Sequence, residues 1–526
     1  MKPSLRWTLA TLAACAVAPV PGRAQAQAGL PRDLDAEVTR ALRLFQVPGM
    51  AIAVVQDGKV LLARGYGVRR LGDPAPVGAD TYFQIASNTK AFTTALLAQL
   101  VDSGRLAWDD PVTRYLPWFQ LSDPWVTREF TVRDLVTHRS GLGLGAGDLL
   151  WFHSNYGAED VVRRLRAAKP VTSFRSAYAY DNVLYIAAGL VIEAVTGQRW
   201  SDVVKDRIFT PLGMSATGTD IALMSTAQAA TAHALVNGHV AIVPLDTVDN
   251  TLPAGGIITN VADLAKWMIA RLDSGAIPGG GRLFSVRQAA VMWSPQTILP
   301  IGNPPPALAG LRANFAAYGL GWSLRDYRGH KIVSHDGGLA GMQSRTLLVP
   351  DLKLGIVMLT NAEQEPYAPL GFELLDHFFG LPRTDWITRY HDAVEQARAM
   401  ADSVQHAQGA QRDTASRPSL PLARYAGRYT DAMYGDASIT SEGDHLVLRF
   451  AHSPAFVGDL LLWQYDTFVA HWRTTHIEDA FVTFALNPDG SIEHFKMAAV
   501  SPLADFSFDY QDLLFEPAAG SSSPPH

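Results

Sequence analysis

The chain has 526 residues, of which 48% are hydrophobic and 18% charged, a globular composition that excludes a mainly disordered protein. Its length predicts two or three structural units. The 44 basic residues are outnumbered by 50 acidic ones and no basic stripe is evident, so we expect no nucleic-acid partner.

The N-terminus has the pattern of an export signal. Basic residues at positions 2 and 6 flank the start of an apolar stretch over 7–20, and a small-x-small cleavage site lies at 24–26. We therefore expect residues 1–28 to be a signal peptide and the mature protein to be periplasmic or secreted. The single cysteine, Cys15, follows Leu-Ala-Ala as in a lipoprotein box, so a lipid anchor at Cys15 is the alternative.

Residues 29–382 combine strand and helix patterns. A helical stretch is followed by two β-rich runs separated by Asp-Gly, which predicts a hairpin. Helical runs fill the middle, and two more β-type runs separated by Pro-Asp come near the end. An antiparallel sheet built from both ends, flanked by helices, predicts an α+β fold. The segments are, in order, Asp33–Phe45, Met50–Val55, Val60–Ala63, Ala91–Val101, Ala158–Ala167, Val183–Val195, Ala262–Leu272, Arg345–Val349 and Leu354–Thr360.

The remaining chain has a different sequence pattern. Residues 383–420 begin as a charged helical pattern and end polar, which is typical of a linker. Short β-type runs at regular spacing then predict a small all-β barrel-like domain over 421–516. We expect the Ser/Pro-rich tail 517–526 to be disordered. The runs are Tyr434–Ile439, His445–Phe450, Asp459–Tyr465, Phe468–Arg473, Ala480–Leu486 and Ser491–Met497.

The pattern with most chemical content is Ser87-Asn88-Thr89-Lys90, which opens a helical run. Residues three apart share a helix face, so the Lys90 amine can reach the Ser87 hydroxyl. A serine hydroxyl becomes a useful nucleophile when a base takes its proton, and burial near a helix N-terminus lowers a lysine pKa enough for that role. A lone S-x-x-K is a weak signal, since a surface serine and lysine on an ordinary helix give the same pattern.

Two further patterns follow in order. Tyr180-Asp181-Asn182 precedes a helical run and offers a phenol that can relay protons and an amide that can hold a carbonyl. His335-Asp336-Gly337-Gly338 precedes a strand, where glycines let a substrate lie close against the backbone. Alone, Tyr180 is typical of a core aromatic and His335 of a structural histidine.

Together these motifs resemble the active-site triplet of serine β-lactamases and penicillin-binding proteins, in the branch of class C β-lactamases, D-aminopeptidases and esterases. The resemblance covers roughly residues 30 to 380 and includes Asp134–Leu142 and Tyr318–Trp322. It implies a transpeptidase-like fold with an all-helical subdomain. The later pattern from Tyr425 resembles the lipocalin-like β domain that often follows such hydrolases.

The resemblance also implies roles for these residues. Ser87 is acylated, while Lys90 and Tyr180 move its proton to the leaving group. Asn182 holds the substrate and His335, Asp336, Gly337 and Gly338 line the strand side. The backbone N–H groups of Ser87 and Gly338 form the oxyanion hole. We expect no metal and no cofactor, and a small molecule or peptide as substrate.

One position departs from the family pattern. Many β-lactamases have Lys-Thr-Gly where this chain has His335-Asp336-Gly337, and an aspartate adds negative charge where a substrate carboxylate would bind. The first functional hypothesis is therefore a peptidase or amidase on small or unusual peptides, D-residues included. The alternatives are a carboxylesterase and a weak β-lactamase or non-hydrolysing penicillin-binding sensor. For the C-terminal domain, a stabilising or oligomerising role is the simpler hypothesis and shaping of the substrate entrance the alternative.

Overall fold

The computed structural model describes residues 29–236 and 238–518. The predicted signal peptide 1–28, with Cys15, and nearly all of the predicted tail 517–526 lie outside the described residues. Among those that are described, no helix combines the length and the apolarity needed to cross a bilayer.

The strands in chain order supply a large sheet, two small ribbons and a barrel. They are β1 (Gly49–Gln56), β2 (Lys59–Gly67), β3 (Phe83–Gln84), β4 (His233–Val236), β5 (His239–Ile242), β6 (Ile258–Thr259), β7 (Thr297–Ile298), β8 (Ala316–Tyr318), β9 (Ser323–Tyr327), β10 (His330–Leu339), β11 (Met342–Val349), β12 (Leu354–Thr360), β13 (Gly427–Asp431), β14 (Gly435–Glu442), β15 (His445–Phe450), β16 (Val457–Gln464), β17 (Thr467–Trp472), β18 (Ala480–Leu486), β19 (Ile492–Ala499) and β20 (Leu514–Pro517).

In chain order, most of the helices come between the early strands and the late strands of the large sheet. They are α1 (Leu34–Leu44), α2 (Lys90–Asp102), α3 (Pro124–Glu129), α4 (Asp148–Trp151), α5 (Ala158–Arg164), α6 (Val183–Thr196), α7 (Trp200–Val204), α8 (Thr210–Leu212), α9 (Leu252–Gly255), α10 (Val261–Leu272), α11 (Val286–Met292), α12 (Tyr367–Phe378) and α13 (Trp386–Gln411).

The large antiparallel sheet has eight strands in the order β2-β1-β12-β11-β10-β9-β8-β7. The early hairpin thus pairs directly with the late strands, with Val54 opposite Ile356. This confirms the predicted α+β fold, a sheet built from both ends of the segment and flanked by helices.

Strand β1, second from one edge of the sheet, is buried along its whole length. Ala51 and Ala53 face the core that α2 and α10 also line, while Ile52 and Val54 face the core that α1 and α12 line. A strand covered on both faces needs apolar residues at every position, which explains the continuous apolar run in the sequence. The sheet is therefore the middle layer of the domain, with α2 and α10 packed on one face and α1 and α12 on the other.

The C-terminal domain is a closed barrel of β13 to β20, each strand paired with the next. Pairing of Tyr429 with Pro517 closes it. The predicted all-β barrel-like domain is confirmed, and its closing strands β13 and β20 lie outside the predicted runs because each is only five residues or fewer. Closure removes the exposed strand edges that such short strands would otherwise present.

Candidate active site

Ser87 lies in a turn of 3-10 helix, Ala86–Thr89, and α2 begins only at Lys90. Ser87 therefore precedes the α-helix rather than opening it. The residue before it, Ala86, has a left-handed backbone with φ of 47°, which costs a side-chain-bearing residue about 1–2 kcal/mol. The Ile85 amide donates to Ile257 O at 3.0 Å and helps to hold this turn. A strained backbone of this kind persists only where the surrounding structure imposes it, as it often does at functional sites.

The Lys90 amine is fully buried beside Ser87, with Nζ 2.9 Å from Ser87 Oγ. Its other neighbours are Asn182 Oδ1 at 2.7 Å and the carbonyl oxygen of Ala254 at 3.0 Å. These two oxygens can only accept hydrogen bonds. A neutral amine has two N–H groups and one lone pair, so when the two N–H groups go to Asn182 and Ala254 the lone pair points at Ser87 Oγ. The arrangement is that of a base facing a hydroxyl.

Asp148, at the start of α4, fixes the orientation of Asn182. The Asn182 amide nitrogen donates to Asp148 Oδ2 at 2.8 Å, which leaves the amide oxygen for Lys90. Trp151 Nε1 donates to the other carboxylate oxygen at 2.8 Å, and Ser507 Oγ donates to Oδ2 at 2.8 Å. Ser507 belongs to the C-terminal domain, so a chain of hydrogen bonds runs from that domain to the amine.

Burial lowers the pKa of Lys90 to about 7, against an opposing rise from the charges of Asp148 and Asp181. Burial also raises the pKa of Asp148 to about 6, although its three donors act against this rise. A large fraction of the amine is therefore neutral near pH 7, as a general base requires.

The Tyr180 ring lies between the amine and the cleft. Lys90 Nζ is 4.9 Å from its centroid, and the His138 ring stacks on it with centroids 4.1 Å apart. Burial raises the pKa of the Tyr180 phenol well above its usual value, while a hydrogen bond with the Ser87 hydroxyl lowers it. The phenol is thus protonated near neutral pH, as a group that later gives a proton to a leaving group must be.

His335 is buried and makes no direct contact with the amine. Its Nδ1 lies 2.6 Å from the carbonyl oxygen of Asp336, and its Nε2 lies 2.9 Å from the Tyr318 hydroxyl. Since a carbonyl only accepts, Nδ1 carries the proton and Nε2 accepts from Tyr318. Burial, together with Lys90, lowers the pKa of His335 to about 4, so the ring is neutral and offers no cation to a substrate.

Strand β10 passes directly behind the nucleophile at Gly337. A Cβ atom there would lie 2.4 Å from Ile85 O and 2.9 Å from Ser87 N. Only glycine fits, because the backbone of the strand lies against the amide of Ser87. Both Ser87 and Gly338 line the cleft, as the predicted oxyanion pair requires.

Asp336 lines the cleft but is not a free charge. The Arg345 guanidinium forms a two-pronged ion pair with it, with Nε–Oδ1 of 2.6 Å and a second contact of 2.8 Å. Asp336 raises the pKa of Arg345 above its usual value despite the opposing effect of burial. The repulsion expected of Asp336 toward a substrate carboxylate is therefore weaker than the sequence indicates, because the charge is paired.

The cleft at Ser87 has a volume of about 470 Å³, within the usual range for ligand sites. The C-terminal domain supplies Asp505, Phe506 and Ser507 to its wall, and the Phe506 ring packs edge-on against Tyr180 at 5.6 Å. The barrel therefore shapes the entrance, the alternative role considered from the sequence. Besides the paired Asp336, the acidic residues Glu365 and Asp505 line the cleft, and no lysine or arginine is found among the described lining side chains.

Sequence reasoning placed Ser87, Lys90, Tyr180, Asn182, His335, Asp336, Gly337 and Gly338 together, and all of them lie around this cleft or directly behind it. It missed Asp148, Arg345 and Ser507. Gly-Ala-Gly before Asp148 was the available signal, since glycines often permit a close backbone approach. Arg345 lies inside a predicted strand and Ser507 in a polar loop, and neither position has a recognisable motif.

The chain is similar to several known proteins. A family model described as Beta-lactamase matches residues 34–378, and one described as Domain of unknown function (DUF3471) matches residues 411–517. Unguisins hydrolase ungD from Aspergillus violaceofuscus is 32% identical over 433 residues, which cover 77% of this chain and 75% of that protein. Penicillin-binding protein 4 from Amycolatopsis lactamdurans is 30% identical over 331 residues, 60% of this chain and 81% of that protein. The octameric penicillin-binding protein homologue from Pyrococcus abyssi superposes with a TM-score of 0.60 at 20% identity, over 89% of this chain and 98% of that one, and so shares the fold.

Proposed function

Because this chain belongs to the Beta-lactamase family of hydrolases, we propose that it is a peptidase or amidase that works through an acyl-enzyme on Ser87. The observation that carries the proposal is the contact of the buried Lys90 amine with the Ser87 hydroxyl, with Nζ 2.9 Å from Oγ. Few other arrangements of a buried lysine make a serine hydroxyl nucleophilic at neutral pH.

The proposed reaction begins when neutral Lys90 takes the proton of the Ser87 hydroxyl and Oγ attacks the substrate carbonyl. The N–H groups of Ser87 and Gly338 stabilise the oxyanion. Tyr180 donates its proton to the leaving nitrogen and regains one from the Lys90 ammonium. Water then attacks the ester and gives a proton to Lys90. Lys90 returns this proton to Ser87 Oγ as the acyl–oxygen bond breaks, so the acid is released and the serine hydroxyl is restored. Asn182 keeps the Lys90 lone pair in place and holds the substrate carbonyl.

Labelling with a fluorophosphonate probe tests the nucleophile. Wild type should be modified on Ser87, as read by peptide mass spectrometry, whereas Ser87→Ala should not react and should lose turnover with an unchanged melting temperature. Modification at another serine, or full activity of Ser87→Ala, would disprove the mechanism.

The acidic lining supports a substrate whose end is neutral or carries an ammonium group. Asp336, Glu365 and Asp505 line the cleft, and the nearby Arg345 is paired with Asp336. We therefore expect peptides and amides without a free carboxylate at this end to be preferred over penicillins and D-Ala-D-Ala ends. The relative Unguisins hydrolase ungD is named as a hydrolase, which agrees with the reaction class proposed here.

A matched pair of substrates, one a free acid and one its amide, tests this preference through kcat/KM. Wild type should favour the amide. Asp336→Asn frees Arg345 and should shift the ratio toward the acid by ~10-fold, the effect of about 1.4 kcal/mol. An unchanged ratio would show that the Asp336–Arg345 pair does not contact the substrate.

Two other results would favour the alternative functions. Cleavage of short esters without any amidase activity would favour the esterase, and acylation by penicillin without turnover would favour the non-hydrolysing sensor.

We also propose export and self-association. The signal-like N-terminus supports export to the periplasm or medium, with a lipid anchor at Cys15 as the alternative, and the mass of the mature N-terminus distinguishes the two.

The octameric state named for the Pyrococcus abyssi homologue supports a homo-oligomer here. Light scattering coupled to size exclusion should give a mass of more than one mature chain, and a monomer would contradict self-association.

A further inference from the structure

Beside the catalytic cleft, at the boundary between the two domains, three side chains converge on one point. His153 follows α4, Asp246 lies in the segment between β5 and α9, and His476 lies in the barrel loop between β17 and β18. One ligand atom from each, two imidazole nitrogens and a carboxylate oxygen, lies within 4.8 Å of the others. The hydrolase domain thus contributes two of these groups and the barrel one.

The spacing is that of ligands around a small cation. Asp246 Oδ1 lies 2.8 Å from His153 Nε2 and 4.0 Å from His476 Nε2, and the two Nε2 atoms are 3.5 Å apart. Tetrahedral Zn²⁺ with bonds of about 2.0–2.1 Å places its ligand atoms about 3.3–3.4 Å apart, and the observed distances bracket that value.

Hydrogen bonds do not explain why the His153, Asp246 and His476 side chains lie so close together. Asp246 Oδ1 is buried and has no hydrogen-bond partner, although His153 Nε2 is close, because the approach lacks hydrogen-bond geometry. The two imidazoles can share at most one proton between their Nε2 atoms, which leaves that oxygen unsatisfied. A buried, unpaired carboxylate oxygen is costly, and a cation at the meeting point would satisfy all three atoms.

The surroundings hold Asp246 in position for a ligand. Its second carboxylate oxygen, Oδ2, accepts from the Ala340 amide at 2.7 Å, and its backbone carbonyl accepts from the Gln84 side chain at 3.0 Å. Such support from outside the ligand set is characteristic of metal sites. His153 has a left-handed backbone with φ of 49°, an unfavourable conformation that directs its ring toward Asp246.

Carboxyl groups, which are negative when ionised, line the adjoining cavity, and burial raises the pKa of Glu363 among them to about 7. The cavity has a volume of about 380 Å³, and Glu363, Glu478 and Asp505 line it together with Asp246 and His476, with no lysine or arginine among the described lining residues. A divalent cation would offset this charge, and its fourth position would open toward the cavity.

We propose that His153, Asp246 and His476 form a site for a divalent transition metal, Zn²⁺ by the character of its ligands, which joins the barrel to the hydrolase domain. Two imidazoles and one carboxylate are a common ligand set for zinc. Sequence analysis predicted no metal site, since the three ligands are far apart in the chain and form no spaced motif. The proposal is independent of the reaction at Ser87.

Metal content and affinity test the site directly. Full-length protein stripped with a chelator should bind one equivalent of Zn²⁺ by calorimetry and retain it in elemental analysis, and Co²⁺ should give the intense visible absorption of four-coordinate cobalt. His153→Ala, His476→Ala and Asp246→Asn should each weaken Zn²⁺ binding beyond the ~10–100-fold that loss of an outer-shell partner costs. Zn²⁺ should also raise the melting temperature of wild type but not that of the variants.

His452→Ala is the matched control, because His452 lies at the same domain boundary but stacks on Tyr156 at 4.1 Å and faces Asn155 rather than the cluster. It should bind Zn²⁺ as wild type does. Absence of stoichiometric binding to wild type, or equal affinity in His153→Ala and His476→Ala, would overturn the proposal. His476→Ala alters only a barrel loop, so it keeps the test decisive if Asp246→Asn fails to fold. Fluorophosphonate labelling of Ser87 reports separately on the proposed function.

Discussion

Lys90 shows how opposing electrostatic effects set one pKa. Complete burial disfavours the ammonium, while the carboxylates of Asp148 and Asp181 favour it, and the balance leaves the pKa at about 7. Burial without the carboxylates would lower it further, and the carboxylates without burial would keep the amine protonated. Asp148 therefore has two effects on the amine, since it also orients Asn182.

This balance predicts the pH dependence of acylation. The neutral amine is the active form and its fraction rises with pH, so kcat/KM should rise with pH through about 7. Asp148→Asn removes a charge that raises the pKa of Lys90, and the rising limb should move to lower pH. Profiles of kcat/KM for both proteins measure this. Asp181→Asn is a second variant and should shift the limb less, because burial raises the pKa of Asp181 to about 8 and leaves it mostly uncharged near pH 7. A limb that stays in place or moves to higher pH would contradict this account of the base.

Strand β10 and the 3-10 turn Ala86–Thr89 form one unit. The Ser344 hydroxyl on the neighbouring strand β11 donates to Ile85 O at 2.7 Å and accepts from the Asn88 amide at 2.8 Å, so the turn is anchored to the sheet. Because Gly337 leaves no space between strand and turn, the position of the nucleophile depends on the sheet behind it.

Gly337→Ala should therefore separate the two elements. Its Cβ would lie 2.4 Å from Ile85 O, so strand or turn must move, and a displacement near 1 Å can cost ~100-fold in rate. We expect acylation by the fluorophosphonate to slow by that order. Gly355→Ala in β12 is the control, because its Cβ would meet only side chains, at 2.9 Å or more, away from the turn. Similar slowing in both variants would point to general destabilisation instead.

The two domains meet where α4 begins. Buried Asp509 of the barrel accepts the amides of Gly147 and Leu149 at 2.7 and 3.3 Å, and it also accepts the Tyr434 hydroxyl. Asp148 lies between these two amides, so the barrel positions the carboxylate that orients Asn182. The C-terminal domain therefore helps to position Asp148, and through it Asn182 and Lys90.

Removing this contact should affect both stability and turnover. Asp509→Ala leaves the Leu149 amide without its acceptor, at a cost of about 1–3 kcal/mol, and leaves the Gly147 amide only a longer contact of 3.3 Å with the Tyr434 hydroxyl. It should therefore lower the melting temperature and kcat together. Asp466→Ala is the comparison, since Asp466 likewise accepts a tyrosine hydroxyl and a backbone amide, from Tyr425 and Ser419, but within the barrel and its linker. It should lower the melting temperature while kcat per folded molecule stays unchanged. Equal loss of kcat in the two variants would show that Asp509 has no special role in positioning α4.

Local patterns in the sequence were sufficient for much of the fold and of the site. Hairpin β1–β2, the helical runs and the barrel strands follow from periodicity and turn residues, which depend on neighbours in the chain. Ser87 and Lys90 lie one helical turn apart, so their contact was predictable even though Ser87 lies in a 3-10 turn before α2 rather than in the α-helix itself. The grouping of the three motifs rested on family resemblance, because residues as distant as Lys90 and Asn182 meet only through the fold.

Tertiary structure alone decided the electrostatics and the role of the barrel. The sequence shows that Asp336 is an aspartate, but only the register of β10 with β11 places Arg345 opposite it and neutralises its charge. Likewise, docking of the barrel brings Ser507 to Asp148 and His476 to His153 and Asp246, contacts for which no sequence motif exists. Propensity and spacing act over a few residues, whereas charge pairing, burial and domain docking depend on distances through space that the chain order does not contain.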